Sequence, residues 1–182
     1  MKSNDTSLIT MEMIDAYLEM VLGIMALRIP QIQDFLTAIP EASVKSSYLN
    51  EDLVISVSAI LNGFKKEGFR DMKSLQNSFK QVNRVFLLAM WDILFNHRDY
   101  NNICNEPEVQ FFRHVRNGCS HDNKLNFIKT IYKTAKWRDK EITDADRDRE
   151  VFPDILKDGD PILLVVDINN KFFHPIDLHK KI

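Results

Sequence analysis

The sequence has few cysteines, little net charge and no long apolar run, and each shortage excludes a class of protein. Two cysteines in 182 residues do not make a disulfide framework and favour a reducing compartment. A net charge of -2 and a pI of about 6.2 give no overall nucleic-acid signature. The apolar stretches are too short to span a bilayer, and the first residues lack the regions of a signal peptide. We therefore expect a cytoplasmic protein with no membrane partner.

Apolar residues recur at helical spacing along most of the first 136 residues. The stripes are Ile14, Leu18, Val21 and Met25; Leu53, Val57, Ile60 and Phe64; and Phe79, Val82, Phe86, Ala89 and Ile93. A fourth helix begins at Glu106-Pro107-Glu108, and a short fifth is predicted over 124–136. Amphipathic helices cannot bury their faces alone, so the pattern predicts a mainly α fold, a four- or five-helix bundle over residues 1–136.

The pattern changes after residue 136. Ile162–Val166 is short and rich in β-branched residues, which favours a buried strand over a helix. Asn169-Asn170 is predicted to form a turn into Lys171-Phe172-Phe173. We therefore predict that residues 137–182 form a small β-containing extension packed on the bundle.

The stretch from Phe111 to Asn123 is the best candidate for a functional site. Phe112, Val115 and Cys119 share one helical face and are predicted to be buried. Arg113, Arg116 and Asn117 lie on the other side, Gly118 supplies a helix stop, and His121 follows it. A guanidinium, an amide and an imidazole at one helix end predict an anion site with a titratable base beside it.

Charge is unevenly distributed around this stretch. Residues 111–140 hold eight Lys and Arg against two acids, whereas residues 141–160 hold eight acids against three bases. The basic block contains the candidate site, which suits a polyanionic ligand. The alternative is that the block is simply a solvated helix face.

The spacing Arg116-Asn117-x-x-x-His121 resembles the signature of the HEPN superfamily (higher eukaryotes and prokaryotes nucleotide-binding), many of whose members are RNases. The chain is similar to a bacterial, plasmid-borne HEPN family with a strand-containing tail. The similarity covers roughly residues 75–170 and is most specific over 111–138. It lies in the run 112–124, in Ala135-Lys136-Trp137-Arg138 and in Gly159-Asp160-Pro161-Ile162.

The resemblance implies an endoribonuclease that needs no metal or cofactor and acts as a homodimer with a composite site. The matching catalytic positions are Arg116, Asn117 and His121, and the positions expected to hold RNA are Arg113, His114 and Lys124. The ribose 2′-hydroxyl would attack the adjacent phosphate, with His121 as general base or acid and Arg116 stabilising the developing charge. Family members of this kind suggest a toxin or defence effector, with an antitoxin or a nucleotidyltransferase as partner. A carboxylate or hydroxyl from an earlier helix is also implied, and the sequence identifies none.

Other interpretations of the same residues remain open. Arg116 could pair with an acid at the helix end, and His121 could be a capping or surface residue. The spacing of Cys104, His114, Cys119 and His121 is not that of a known zinc finger, so no metal site is predicted. Cys119, Trp91 and Trp137 are expected to be packing residues. The competing functions are a non-catalytic HEPN module that binds RNA, a nucleotide or a protein, and a purely structural helical dimer.

Overall fold

A computed structural model describes residues 8–9, 11–39, 41–44, 53–59, 61, 72–127 and 130–176, and this part of the chain is mainly helical. The helices are α1 (Met11–Ala26), α2 (Pro30–Thr37), α3 (Met72–Phe95), α4 (Tyr100–Ile103), α5 (Pro107–Ser120) and α6 (Asp160–Phe172). The strands are β1 (Glu41–Val44), β2 (Leu53–Ser56), β3 (Ala135–Trp137) and β4 (Lys140–Ile142). No helix among the described residues is long and apolar enough to cross a membrane.

The chain divides into two compact units, Leu18–Phe79 and Met1–Tyr17 with Lys80–Ile182. The first unit contains α2 and the antiparallel pair of β1 and β2. The helix predicted from the Leu53 stripe is therefore wrong at its beginning, because Leu53–Ser56 is a strand. Its last two stripe positions, Ile60 and Phe64, lie outside the described residues. Val54 and Ile55 favour the strand, because β-branched side chains fit a pleated surface.

The core of the second unit lies between α3, α5 and α6. Trp91 of α3 meets Phe112 of α5 edge to face, with ring centroids 5.4 Å apart. Both predicted helices are confirmed, and both tryptophans are buried as expected, as is Cys119. The apolar side chains of these helices that are wholly shielded from solvent belong to Leu87, Leu94, Val109, Phe111, Phe112, Val115, Cys119, Leu164, Val165 and Ile168.

The predicted strand at Ile162–Val166 is wrong, because these residues lie inside α6. Pro161 lies in the first turn, where a backbone N–H would have no partner within the helix, so its absence costs nothing. The negative charge of Asp160 interacts favourably with the positive end of the helix dipole. The buried positions Pro161, Leu164, Val165 and Ile168 follow the helical period. The turn predicted at Asn169-Asn170 is likewise helical.

The predicted fifth helix over 124–136 is also wrong. Leu125 and Phe127 are buried without belonging to a helix, and β3 begins at Ala135. β3 pairs with β4 in antiparallel register, so the predicted boundary at residue 136 falls inside a strand. Trp137 packs on Phe111, with ring centroids 5.9 Å apart. Its Nε1 donates a hydrogen bond to Oδ2 of Asp167 in α6 at 2.8 Å. The small sheet thus stands directly against α5.

Gly118 does not stop α5, because the helix continues to Ser120. The left-handed conformation that ends it belongs to Asp122 and Asn123, with φ of 52° and 64°. Gly118 is buried instead at a close approach, since a Cβ there would lie 2.5 Å from Cγ2 of Val151 and 3.2 Å from the carbonyl oxygen of Lys124. The glycine therefore allows another segment to pack on the helix.

We expect Gly118→Ala to lower the free energy of unfolding by about 1–3 kcal/mol, the usual cost of overpacking. Urea denaturation measures the change. Gly23→Ala in α1 is the matched control, because nothing lies within 4 Å of the added carbon. There the better helix propensity of alanine should raise stability by up to ~1 kcal/mol. Equal effects at the two positions would contradict the close-packing role.

Candidate active site

One face of α5 lines an open cleft of about 550 Å³. Gln110, His114, Asn117 and His121 recur at spacings of +4, +3 and +4, so they form one stripe along the helix and its cap, and Arg113 lines the cleft beside them. His114 and His121 are seven residues apart, about 10 Å along a helix axis. A group of phosphate size can therefore lie between the two imidazoles.

The opposite wall of the cleft comes from the segment after the helix. Asn126, Phe127, Thr130 and the run Ile131, Tyr132 and Lys133 complete the lining. The cleft thus holds an arginine, a lysine and two histidines, and none of the described residues that line it is acidic. Cationic side chains on a lining without carboxylates produce a positive potential that attracts anions.

His114 is half-buried and packs edge-on against Phe127, with ring centroids 5.2 Å apart. Burial, and secondly the nearby Arg113 guanidinium, lower the pKa of His114 from its usual 6.5. Both causes disfavour the charged ring, so His114 is neutral at pH 7. A neutral imidazole facing the cleft can accept a proton.

His121 is the C-terminal cap of α5 and is exposed. Its backbone N–H donates to the carbonyl oxygens of Asn117 and Gly118, at 3.1 and 3.0 Å. Arg84 of α3 holds the same helix end, because its Nε and Nη2 donate to the carbonyl oxygen of Cys119 at 3.0 and 2.7 Å. The positive charge of Arg84 also interacts favourably with the negative end of the helix dipole. Arg84 thus fixes the turn that carries His121.

Two of the six sequence-predicted site residues lie elsewhere. Arg116 is half-buried, does not line the cleft, and donates from Nη1 to Oδ1 of Asn117 at 3.3 Å. Its Nε is buried without a hydrogen-bond partner among the described residues. Lys124 is exposed and its backbone forms an isolated bridge with Glu150. The structure therefore brings together Arg113, His114, Asn117 and His121, and it connects Arg116 to them only through Asn117.

The cysteines do not take part in this cleft. Both are free thiols, and burial raises the pKa of Cys119 to about 12 although Arg84 and Arg116 lie near it. Such a thiol is not a nucleophile at neutral pH. Within the described ranges, no three His, Cys, Asp or Glu side chains are grouped as metal ligands.

Comparison of the chain with protein-family models, with curated proteins and with solved structures returns no match. The residues of the cleft themselves therefore indicate its chemistry. Sequence reasoning missed Gln110, Tyr132, Lys133 and Arg84. The helical period could have found Gln110, which lies four positions before His114 on the same face. No local pattern marks the other three, because they reach the site through tertiary packing.

Proposed function

We propose that this cleft is the active site of an HEPN-type endoribonuclease. The observation that carries the proposal is the pairing of His114 and His121 on one face of α5, beside Arg113 and Lys133 and without a lining carboxylate. Two imidazoles in different environments can divide the work of general acid and general base. The cations supply the sites that an RNA backbone needs.

The proposed reaction is transfer of the phosphate to the neighbouring 2′-oxygen. Neutral His114 takes the proton of the 2′-hydroxyl as the bond from O2′ to phosphorus forms. Protonated His121 gives a proton to the 5′-oxygen as the bond from phosphorus to that oxygen breaks. The products are an RNA ending in a 2′,3′-cyclic phosphate and an RNA with a free 5′-hydroxyl. Each histidine is left in the state opposite to the one in which it began.

The other side chains bind and position the substrate. Arg113 and Lys133 would contact the phosphate oxygens, and Arg113 would stabilise the charge that develops on them because its planar fork matches phosphate geometry. Asn117 stands between the two histidines and is oriented by Arg116. Under this proposal Arg116 is a positioning residue, although the resemblance to HEPN enzymes places the matching arginine at the phosphate.

The proposal includes a homodimer, as the HEPN resemblance implies. The exposed apolar residues Leu18, Leu22 and Met25 follow the helical spacing +4 and +3 on α1, which supports association with another apolar surface. The cleft is open, so a second copy has room to contribute groups to it. The proposal also includes a toxin or defence role, as the resemblance implies.

Cleavage of a 5′-labelled single-stranded RNA in EDTA tests the function. We expect fragments that end in a 2′,3′-cyclic phosphate, identified by mass spectrometry. A matched oligonucleotide with 2′-O-methyl groups should stay intact, because it lacks the attacking hydroxyl. Binding without cleavage would instead favour the non-catalytic module, and cleavage of the 2′-O-methyl oligonucleotide would contradict the mechanism.

A further inference from the structure

A second, smaller cleft of about 260 Å³ adjoins the proposed active site. Ile131, Tyr132 and Lys133 line both clefts, so this run forms the wall between them. The remaining lining residues of the second cleft are Thr134, Glu141, Ile142, Thr143 and Asp144. Tyr132 stands on the dividing wall with 87% of its surface exposed. So exposed a ring leaves apolar surface that a stacking ligand would bury.

The wall that carries Tyr132 is tied down on both sides of this residue. The backbone N–H of Ile131 donates to Oδ1 of Asp144 at 3.0 Å. Nζ of Lys133 donates to the side-chain oxygen of Asn105. Hydrogen bonds of both neighbours thus flank the tyrosine, and only two side-chain torsions of its own remain to be ordered when a ligand binds. A planar ligand can therefore stack on it at low entropic cost.

The two clefts differ in charge. Both clefts share Lys133, but the first adds Arg113 and two histidines and no described acid, whereas the second adds Glu141 and Asp144. Carboxylates repel a phosphate but accept hydrogen bonds from the amino and imino groups of nucleobases. One wall thus separates a place suited to phosphate from a place suited to a base. That arrangement matches a nucleotide lying across Tyr132.

We propose that Tyr132 is the stacking platform for an unpaired nucleobase next to the scissile phosphate, and that Glu141 reads the edge of this base in the second cleft. The inference rests on the proposed function and names the specificity site of the same enzyme. Guanine suits the cleft best, because its N1–H and N2–H groups can both donate to one carboxylate. Uracil suits it least, because carbonyl oxygens flank its only ring N–H.

Fluorescence anisotropy with 5′-labelled heptanucleotides tests the platform in the full chain. The probes are an all-uridine strand and the same strand with one central guanosine, both 2′-O-methylated so that binding is measured without cleavage. Tyr132→Ala should weaken binding of the guanosine probe about 5- to 100-fold, the range found when a stacking aromatic is removed. Tyr132→Trp should keep the affinity, and Tyr132→Leu should lose it as alanine does, because leucine is apolar without a π face.

Two further variants complete the experiment. Phe35→Ala is the matched control, since Phe35 is an aromatic residue 65% exposed outside both clefts, and it should bind as the wild type does. Glu141→Gln should reduce the preference for guanosine over uridine at least threefold while the uridine probe binds as before. Unchanged binding in Tyr132→Ala, or an equal loss in Phe35→Ala, would overturn the platform.

Cleavage of unmodified RNA tests the proposed function separately from the stacking site. If the wild type cleaves unmodified RNA but Tyr132→Ala binds and cleaves normally, the stacking site is overturned and the nuclease stands. If the wild type binds the probes through Tyr132 but cleaves nothing, the nuclease is overturned and the base platform stands. If the wild type neither binds nor cleaves, both are overturned.

Discussion

Alanine in place of His121 is expected to lower the rate of RNA cleavage by about 10²- to 10⁴-fold, the usual contribution of a general acid or base. The side chain is exposed at the cap of α5, so its removal should leave the fold intact. His114→Gln should cause a loss of the same order, because the amide cannot take the proton of the 2′-hydroxyl. Initial rates on a labelled RNA measure both effects.

His174→Ala is the matched control, because His174 is exposed and does not line the cleft. It should cleave RNA at the wild-type rate and unfold at the wild-type temperature. Full activity of either His121→Ala or His114→Gln would contradict the assignment. A loss of activity accompanied by a lower unfolding temperature would instead reveal damage to the fold, so each variant is melted before it is assayed.

The pH profile provides a second readout of His114. Because burial and Arg113 lower its pKa, cleavage should be lost only below pH 6.5, as His114 takes up a proton and ceases to act as a base. Arg113→Gln removes the second cause, so the pKa of His114 should rise and the acid limb should move to higher pH. Titration of the His114 ring by NMR measures this shift independently of activity. An unmoved midpoint would show that Arg113 does not act on His114.

Helix α5 could be predicted from the sequence because its signals are local. Pro107 marks its beginning, and Phe112, Val115 and Cys119 repeat at the helical period and are all buried. The prediction that Gly118 stops the helix is wrong because a glycine near a helix end suits a C-cap and the close approach of another segment equally well. Only the position of Val151 in the fold decides between the two.

The remaining errors arise where tertiary contacts outweigh local pattern. In α3 the predicted stripe included Ala89 and Ile93, which are exposed, whereas the buried face is rotated by about one residue to Leu87, Met90 and Leu94. In α1, Leu18 and Met25 were predicted to be core and are exposed. Apolar residues next to a stripe fit the helical period as well as the stripe itself does. The sequence pattern therefore defines the direction of the buried helix face only to within about 100°.

For the same reason, the sequence predicts only the side of the candidate site that α5 provides. Arg113, His114, Asn117 and His121 come from one continuous stretch, and the period alone places three of them on one face. The wall with Tyr132 and Lys133 depends on where the chain returns after α5. That return is fixed by Asp144 and Asn105, which are distant in sequence from the wall that they hold. No spacing rule connects such residues.

Asn123 also holds that return, and Asn123→Ala is expected to lower the free energy of unfolding by about 4 kcal/mol, from three lost hydrogen bonds of roughly 1 kcal/mol each and a strained backbone. The side chain is 3% exposed. Its Nδ2 donates to the carbonyl oxygen of Phe152 at 2.8 Å and to Glu150 at 3.2 Å, and its Oδ1 accepts from the N–H of Phe152 at 3.2 Å. Urea denaturation measures the loss.

Asn123→Gly separates the side chain from the backbone, since φ at this position is 64° and glycine adopts it without strain. It should cost about 3 kcal/mol, roughly 1 kcal/mol less than alanine, because only the three hydrogen bonds are lost. Asp122→Gly, at the neighbouring exposed position with φ of 52°, should change stability by no more than about 0.5 kcal/mol. If Asn123→Ala proved as mild as Asp122→Gly, the end of α5 would be held by backbone hydrogen bonds alone, and His121 would not depend on this asparagine for its position.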